Sequence, residues 1–345
     1  MKTYLLPREG TFYKANLHTH TTVSDGKWTP ERVKEEYTKQ GYSIVAFTDH
    51  DALCPHNELT DGQFLAINGF ETYFNTEVFQ ELPFDYVRTY HLSFFAKDQS
   101  NLDCPAYSDE YVEYTHGLNY VPKEVVRYHY KRQHSVECIN RFIKQANAKG
   151  WLVSYNHPRW SLHNYEDYGK IEGLWGVEVA NTGCFRDCMP DTEQPLIDFL
   201  RQGKQVFPIG ADDMHDHRSA FGAFTMIKAP ALEYSKVLTA MEKGDFYASE
   251  GPLINELYIE DEVLKIECSD AAKVFVNTEC RIGWALNATD KPITKAEFNL
   301  SKYLQRSKAA EDRVLWKPYI RVTVVDAQGN KAYSRAYFVE EFDKQ

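Results

Sequence analysis

Two patterns of apolar residues divide the chain. Through the first 250 positions they come as short continuous runs separated by segments of helical periodicity, whereas beyond Gly251-Pro252 they alternate one by one. Ala15-Asn-Leu-His-Thr-His reads as a short strand. A helix follows, with Thr29 as N-cap, Pro30 at its first position, Glu31 at its positive end and Gly41 as its stop. Ser43-Ile-Val-Ala-Phe-Thr, Gln63 to Glu71 and Tyr90-His-Leu-Ser-Phe-Phe are further strands. Ser135 to Lys149 is helical and closed by Gly150, and Trp151-Leu-Val-Ser-Tyr-Asn, Gly176-Val-Glu-Val-Ala and Gln205-Val-Phe-Pro-Ile-Gly complete the series. Short apolar strands alternating with helices predict an α/β fold built on a largely parallel sheet or barrel.

The alternating tail contains Glu256-Leu-Tyr-Ile-Glu, Val263 to Cys268, Lys273-Val-Phe-Val-Asn and Tyr319 to Val325, with a turn at Asp326-Ala-Gln-Gly-Asn. It predicts a small antiparallel β-sandwich over 252–345, appended to a domain over 1–251. Residues 98–134 interrupt the first pattern with six tyrosines and with Arg127, Lys131 and Arg132. A segment of that length is read either as a lid over a site or as a tyrosine-rich helical excursion with a solvated basic face.

Composition narrows the function classes. A net charge of -11 argues against nucleic-acid binding through a basic surface. No run of about 20 apolar residues is present to span a membrane, and the first residues lack the apolar core of a signal peptide. Seven cysteines without paired spacing read as reduced thiols, so a cytoplasmic location is expected. Cys184 and Cys188 have no second pair with which to make a zinc ribbon.

The chemistry lies at the ends of the predicted strands. His18 and His20, two apart in an extended segment, face one side and can hold one cation, with Asp25 brought in by the turn at Gly26. Asp49-His50-Asp51 ends one apolar run and Glu71 closes another, His91 opens His-Leu-Ser-Phe-Phe, and His157 sits in Ser-Tyr-Asn-His-Pro-Arg. Gly210-Ala-Asp-Asp-Met-His-Asp-His adds Asp213 and His215. A lone histidine is usually a satisfied polar residue, but nine imidazoles and carboxylates on one rim imply metals. Mixed nitrogen and oxygen donors suit zinc, manganese or iron, and nine ligands exceed one coordination sphere, so two or three divalent ions are expected.

The ordered set His-x-His, Ser-Asp-Gly, Thr-Asp-His, Asn-Gly-x-Glu, His-Leu, Asn-His-Pro and Asp-x-His resembles the polymerase and histidinol phosphatase (PHP) superfamily, over residues 14 to about 250. Tyr247-Ala-Ser-Glu-Gly-Pro before the all-β tail is similar to the CehA/McbA-like metallohydrolase subgroup. The resemblance implies a distorted (β/α)7 barrel with a trinuclear site. By motif, His18, His20, Glu71 and Asp213 would hold one ion, and Asp25, His50 and His215 a second. Glu71 would bridge to a third, held by His91 and His157. Asp25 stands where some members use histidine, and Asp212 competes with Asp213 for the Asp-x-His position.

Such a site would hydrolyse a small phosphate ester by attack of a metal-bridging hydroxide. Arg159 is the first candidate for the phosphate clamp and Arg218 the second. Glu178 reads as a carboxylate that positions a ligand, or as a partner for either arginine. Asp49 and Asp51 either orient ligand imidazoles or cap their loop. His163 and His217 read as surface histidines, with proton donation as the alternative role. The rival readings are a carbamate, ester or amide hydrolase and a metal-stabilised scaffold whose β module binds a partner. Nothing in the residues sets the oligomeric state.

Overall fold

The computed structural model describes residues 2–76, 83–190, 192–310 and 317–343. Its strands and helices run in the order β1 (Lys2–Tyr4), β2 (Thr11–Asn16), α1 (Pro30–Lys39), β3 (Tyr42–Phe47), β4 (Leu65–Asn75), β5 (Thr89–Ala96), α2 (Val136–Ala148), β6 (Trp151–Tyr155), α3 (Tyr165–Tyr168), β7 (Gly176–Asn181), α4 (Thr182–Arg186), α5 (Gln194–Arg201), β8 (Phe207–Ala211), β9 (Phe224–Ala229), α6 (Tyr234–Lys243) and β10 (Phe246–Ser249). The tail adds β11 (Ile254–Glu260), β12 (Val263–Ala271), β13 (Lys273–Thr278), β14 (Gly283–Asn287), β15 (Ile293–Asn299), α7 (Ser301–Ala310), β16 (Tyr319–Val325), β17 (Lys331–Ser334), β18 (Tyr337–Phe338) and α8 (Val339–Phe342).

The helix signals in the sequence operate as local physics requires. The Thr29 hydroxyl accepts from Arg32 N–H, and Pro30 begins α1. Ser135 does the same for Cys138 at the start of α2. Gly41 and Gly150 both take positive φ just past a helix end, where a side chain would be strained.

One sheet of 14 strands runs β14-β13-β16-β17-β10-β9-β2-β3-β4-β5-β6-β7-β8, with β18 on β16. The β2-β3-β4 and β6-β7-β8 runs are parallel, as the pattern predicts. β5 is antiparallel to both of its neighbours. That reversal brings the start of β5 beside the far half of β4, with His91 opposite Tyr73.

The expected (β/α)7 barrel does not close as a hydrogen-bonded ring among the described residues. Closure requires β8 to pair with β9, but β2 and β10 occupy both edges of β9. The two strands meet through a side chain instead. Thr225 Oγ1 donates to Gly210 O at 2.9 Å and accepts from Gly210 N at 3.2 Å. A Cβ at Gly210 would lie 2.5 Å from Phe224 O, so only glycine permits that approach.

The tail is not a separate sheet pair. β17 pairs with β10, so the large sheet runs across position 251, and β1 joins β11-β12-β15 in a second sheet of four strands. Leu257, Ile266, Val274, Ile320 and Val322 fill the core between these layers. Segment 98–134 forms irregular chain with short 3-10 turns at Asp109–Tyr111 and Thr115–Asn119, not the helical excursion considered from sequence. Its basic residues are only partly solvated. Arg132 is buried on Asp51, and Arg127 pairs with Asp109.

Candidate metal centre

β2 ends at Asn16, two residues short of His18, so the first histidines lie beyond the strand predicted for them. The chain nevertheless stays extended, because Thr19 bridges to Met214, and His18 Nε2 and His20 Nε2 lie 3.1 Å apart on one side. Gly26 closes the loop that returns Asp25, and a Cβ there would strike His20 O at 2.3 Å. Glu71 lies within β4, which runs on to Asn75, and His91 lies within β5. His157 and Asp213 follow β6 and β8 with φ of 28° and 51°. Positive φ is uncommon outside glycine, though Asp and His adopt it more readily than most, and such backbone collects at functional sites.

All nine residues singled out from the sequence converge. Their donor atoms form four groups, each within 4.8 Å: His20, Asp25, His50 and His215; His18, Glu71 and His157; His18, His20 and Asp213; His50, Glu71 and His91. Glu71 lies at the middle. Its Oε1 is 3.2 Å from His18 Nε2, 3.2 Å from His91 Nδ1 and 3.3 Å from His157 Nε2. Its Oε2 is 3.2 Å from His50 Nδ1 and 3.5 Å from His20 Nε2. Asp213 Oδ1 lies 3.3 Å from His18 Nε2 and 3.1 Å from His20 Nε2, and Asp25 Oδ2 lies 3.2 Å from His215 Nε2.

Among the described residues, four buried polar atoms of this cluster lack a hydrogen-bond partner: His20 Nδ1, His50 Nδ1, His91 Nδ1 and Glu71 Oε2. Leaving such groups unpaired is costly, and a bound cation would satisfy them. This donor set fits divalent cations such as zinc, manganese or iron.

The electrostatics agree with that fit. Burial, the largest influence on each, pushes His50 down to about 3 and lowers His20, helped by charge on their histidine neighbours. On His18 burial is outweighed by Asp213, Glu71 and Glu178, which hold its pKa well above the ordinary value. His157 and His215 rise to about 9, again against burial, beside Glu71 and Asp25 respectively. Glu71 and Asp213 are held well below the carboxylate range despite burial, by the imidazoles around them. The carboxylates thus favour positive charge on His18, His157 and His215, at points where cations can take the place of protons.

A surrounding layer orients the donors. Glu178 Oε1 accepts from His18 Nδ1 at 2.7 Å, and its Oε2 accepts from His157 N and Asn181 Nδ2 at 2.9 Å each. His18 therefore turns Nε2 into the site. Asn156 Nδ2 donates to Glu71 Oε1 at 2.7 Å, and His215 Nδ1 lies 3.0 Å from Asp213 O. Asp49 caps its loop rather than an imidazole, accepting from Thr21 and Ser24. Asp212 faces away, bound by Tyr37, Thr182, Phe221 and Gly222.

The cavity above the cluster holds about 470 Å³. Arg159, the clamp expected from sequence, does not line it. The side chain is exposed and its Nη1 donates to Pro190 O at 3.1 Å. Arg218 is exposed and bound to Asp216 through Nε and Nη2. His163 lies apart, against Tyr155 and His134, and burial pushes its pKa down to about 2. His217 is exposed.

Beside Asp25, His50, Glu71, His91, His157, Asp213 and His215, the cavity is lined by residues to which sequence reasoning gave no role at the site: Lys27, Tyr73, Glu113, Tyr114, Trp160 and Arg186. Tyr114 donates to Asp25 Oδ2 at 3.3 Å, and its ring stacks on His50 at 6.1 Å. Lys27 and Trp160 adjoin recognised motifs, and Tyr114 lies in the segment read as a lid. Arg186 carries no local signal.

Comparison with known proteins adds to this geometry. No curated protein matches the chain. Among solved structures, a two-domain protein containing a predicted PHP-like metal-dependent phosphoesterase from Bacteroides vulgatus is 13% identical, with 97% of this chain and 98% of that one covered and a TM-score of 0.43. The lesion-specific endonuclease PfuEndoQ from Pyrococcus furiosus is 14% identical, with 68% and 56% covered and a TM-score of 0.39. Residues 16–168 match the family described as PHP domain, a span that holds His18, His20, Asp25, His50, Glu71, His91 and His157. That similarity covers less than half of the chain, and β8 and the loop after it bring Asp213 and His215 to the same cluster from outside the matched span.

Proposed function

We propose that this chain is a metal-dependent hydrolase, a phosphoesterase that cleaves a small phosphate ester, of the CehA/McbA-like kind. The observation that carries the proposal is the convergence of six imidazoles and three carboxylates, with buried lone pairs unpaired, at the floor of a 470 Å³ cavity. Two or three ions of zinc, manganese or iron would be held by His18, His20, Asp25, His50, Glu71, His91, His157, Asp213 and His215. Glu71 faces two donor groups with its two oxygens and would be shared between ions.

Bound divalent ions supply Lewis acidity and lower the pKa of water at neutral pH. The protein supplies the rest. Glu178 fixes the His18 ring and, through His157 N, the loop that carries a second donor. Tyr114 holds Asp25 from the cavity side. Tyr73 and Trp160 line the His91 and His157 side of the cavity. Among the described residues no helix is long and apolar enough to cross a membrane.

The test is turnover of phosphomonoesters, phosphodiesters, carbamates and carboxylic esters by protein reconstituted with Mn(II), Zn(II) or Fe(II). A His18→Ala/His20→Ala variant is the control. Phosphate release that disappears in the control is the expected result. Turnover confined to carbonyl substrates, or metal binding without any turnover, would overturn the phosphoesterase reading.

A further inference from the structure

We infer that Arg186 and Lys27 form the anion-recognition pair of this cavity and make its preferred ligand a phosphoryl group, a tetrahedral oxyanion, rather than a neutral carbonyl ester. The inference rests on the hydrolase reading above and specifies which residues of this chain select the substrate.

Among the described residues, Arg186 and Lys27 are the cationic side chains other than histidine that line the cavity. Both are anchored to the loop that carries Asp213 and His215. Lys27 N donates to His215 O at 2.7 Å, so its side chain starts beside a donor residue. Arg186 ends α4, whose first turn is tied to the same loop by Gly183 N donating to Asp212 O at 2.9 Å. The pair therefore stands on the Asp25 and His215 side of the cavity, while Tyr73 and Trp160 line the side of His91 and His157.

Among the described residues neither side chain makes a hydrogen bond, although Arg186 is ion-paired with two carboxylates that also line the cavity. The Arg186 guanidinium lies 4.0 Å from Asp187 and 3.8 Å from Asp216, both beyond hydrogen-bond length. Asp216 is already taken by Arg218, which donates to it through Nε and backbone N. Among the described residues the Lys27 ammonium forms no ion pair, and the side chain is exposed. A guanidinium fork with donors free of hydrogen bonds and an ammonium lining the same cavity match the oxygens of a phosphoryl group. A neutral ester offers such donors a single carbonyl oxygen and no charge.

The experiment measures inorganic phosphate binding to Mn(II)-loaded protein by calorimetry, with sodium acetate as the planar-anion comparison. Arg186→Gln should weaken phosphate binding roughly tenfold or more, and Lys27→Gln by roughly three- to tenfold. Arg159→Gln should leave it within about twofold, since that side chain is outside the cavity. Thermal unfolding and bound-manganese content of each variant separate a lost anion site from a lost fold or lost metal. Wild-type affinity in Arg186→Gln with metal content intact would overturn the inference, as would acetate bound as tightly as phosphate. The two readings fail differently. Phosphate binding that depends on Arg186, without ester turnover, overturns the function and leaves the pair standing, whereas turnover whose KM ignores Arg186 overturns the pair alone.

Discussion

Replacing Glu178 by Gln isolates the layer that orients the metal donors. The side chain is fully buried and one carboxylate serves three donors, His18 Nδ1, His157 N and Asn181 Nδ2. An amide of the same shape has a single acceptor oxygen. If that oxygen faces His157 and Asn181, the amide NH2 meets His18 Nδ1 and forces the ring proton onto Nε2. The lone pair aimed between Glu71 and Asp213 is then lost. If the oxygen faces His18 instead, two buried N–H groups lose their acceptor, at about 1–3 kcal/mol each. Either arrangement should weaken metal binding by about 1.4–2.8 kcal/mol, roughly 10- to 100-fold. Competition with a chromophoric chelator for Zn(II) reads this directly, and circular dichroism with thermal unfolding checks that the fold persists. A natively folded Glu178→Gln protein that binds Zn(II) within twofold of wild type would refute the reasoning.

Four further outcomes follow from the same geometry. Arg132 and Asp51 form a buried ion pair, with Arg132 Nη1 also donating to Tyr73 O at 3.0 Å. Arg132→Met should therefore cost about 3–5 kcal/mol in urea unfolding, and adding Asp51→Asn should recover part of it by removing the stranded charge. In the metal-free protein His157 and His215 titrate at about 9, above the unfolded histidine value of about 6.5. A raised folded pKa stabilises fully below about pH 6.5 and is lost as pH rises through about 9, so the metal-free Tm should fall across that window. Metal binding at pH 7 should release more than one proton, read by calorimetry in buffers of different ionisation enthalpy, and binding without proton release would contradict these assignments. Tyr114→Phe removes one hydrogen bond to Asp25 and should lower metal affinity by about 0.5–1.5 kcal/mol, measured by the same chelator competition.

What the sequence determined by itself is the set of candidate metal donors and the local elements that carry it. His18, His20 and Asp25 are close along the chain, and each remaining donor lies in or next to an apolar strand, so period and motif expose them without knowledge of the fold. The caps at Thr29 and Ser135 are equally local, because a cap bonds within one helical turn. Tertiary structure decided the rest, because it depends on which distant segments meet. β9 and β10 carry no strong pattern, yet β10 and β2 occupy both edges of β9 and keep the sheet from closing on β8. Asp51 meets a partner 81 residues away rather than a neighbouring imidazole. Arg159 carried the motif signal but points to Pro190, whereas Arg186 carried none and lines the cavity. Donor chemistry is written in residue types at short spacing, whereas the direction of a long flexible cation is set by the packing of loops that only the folded chain brings together.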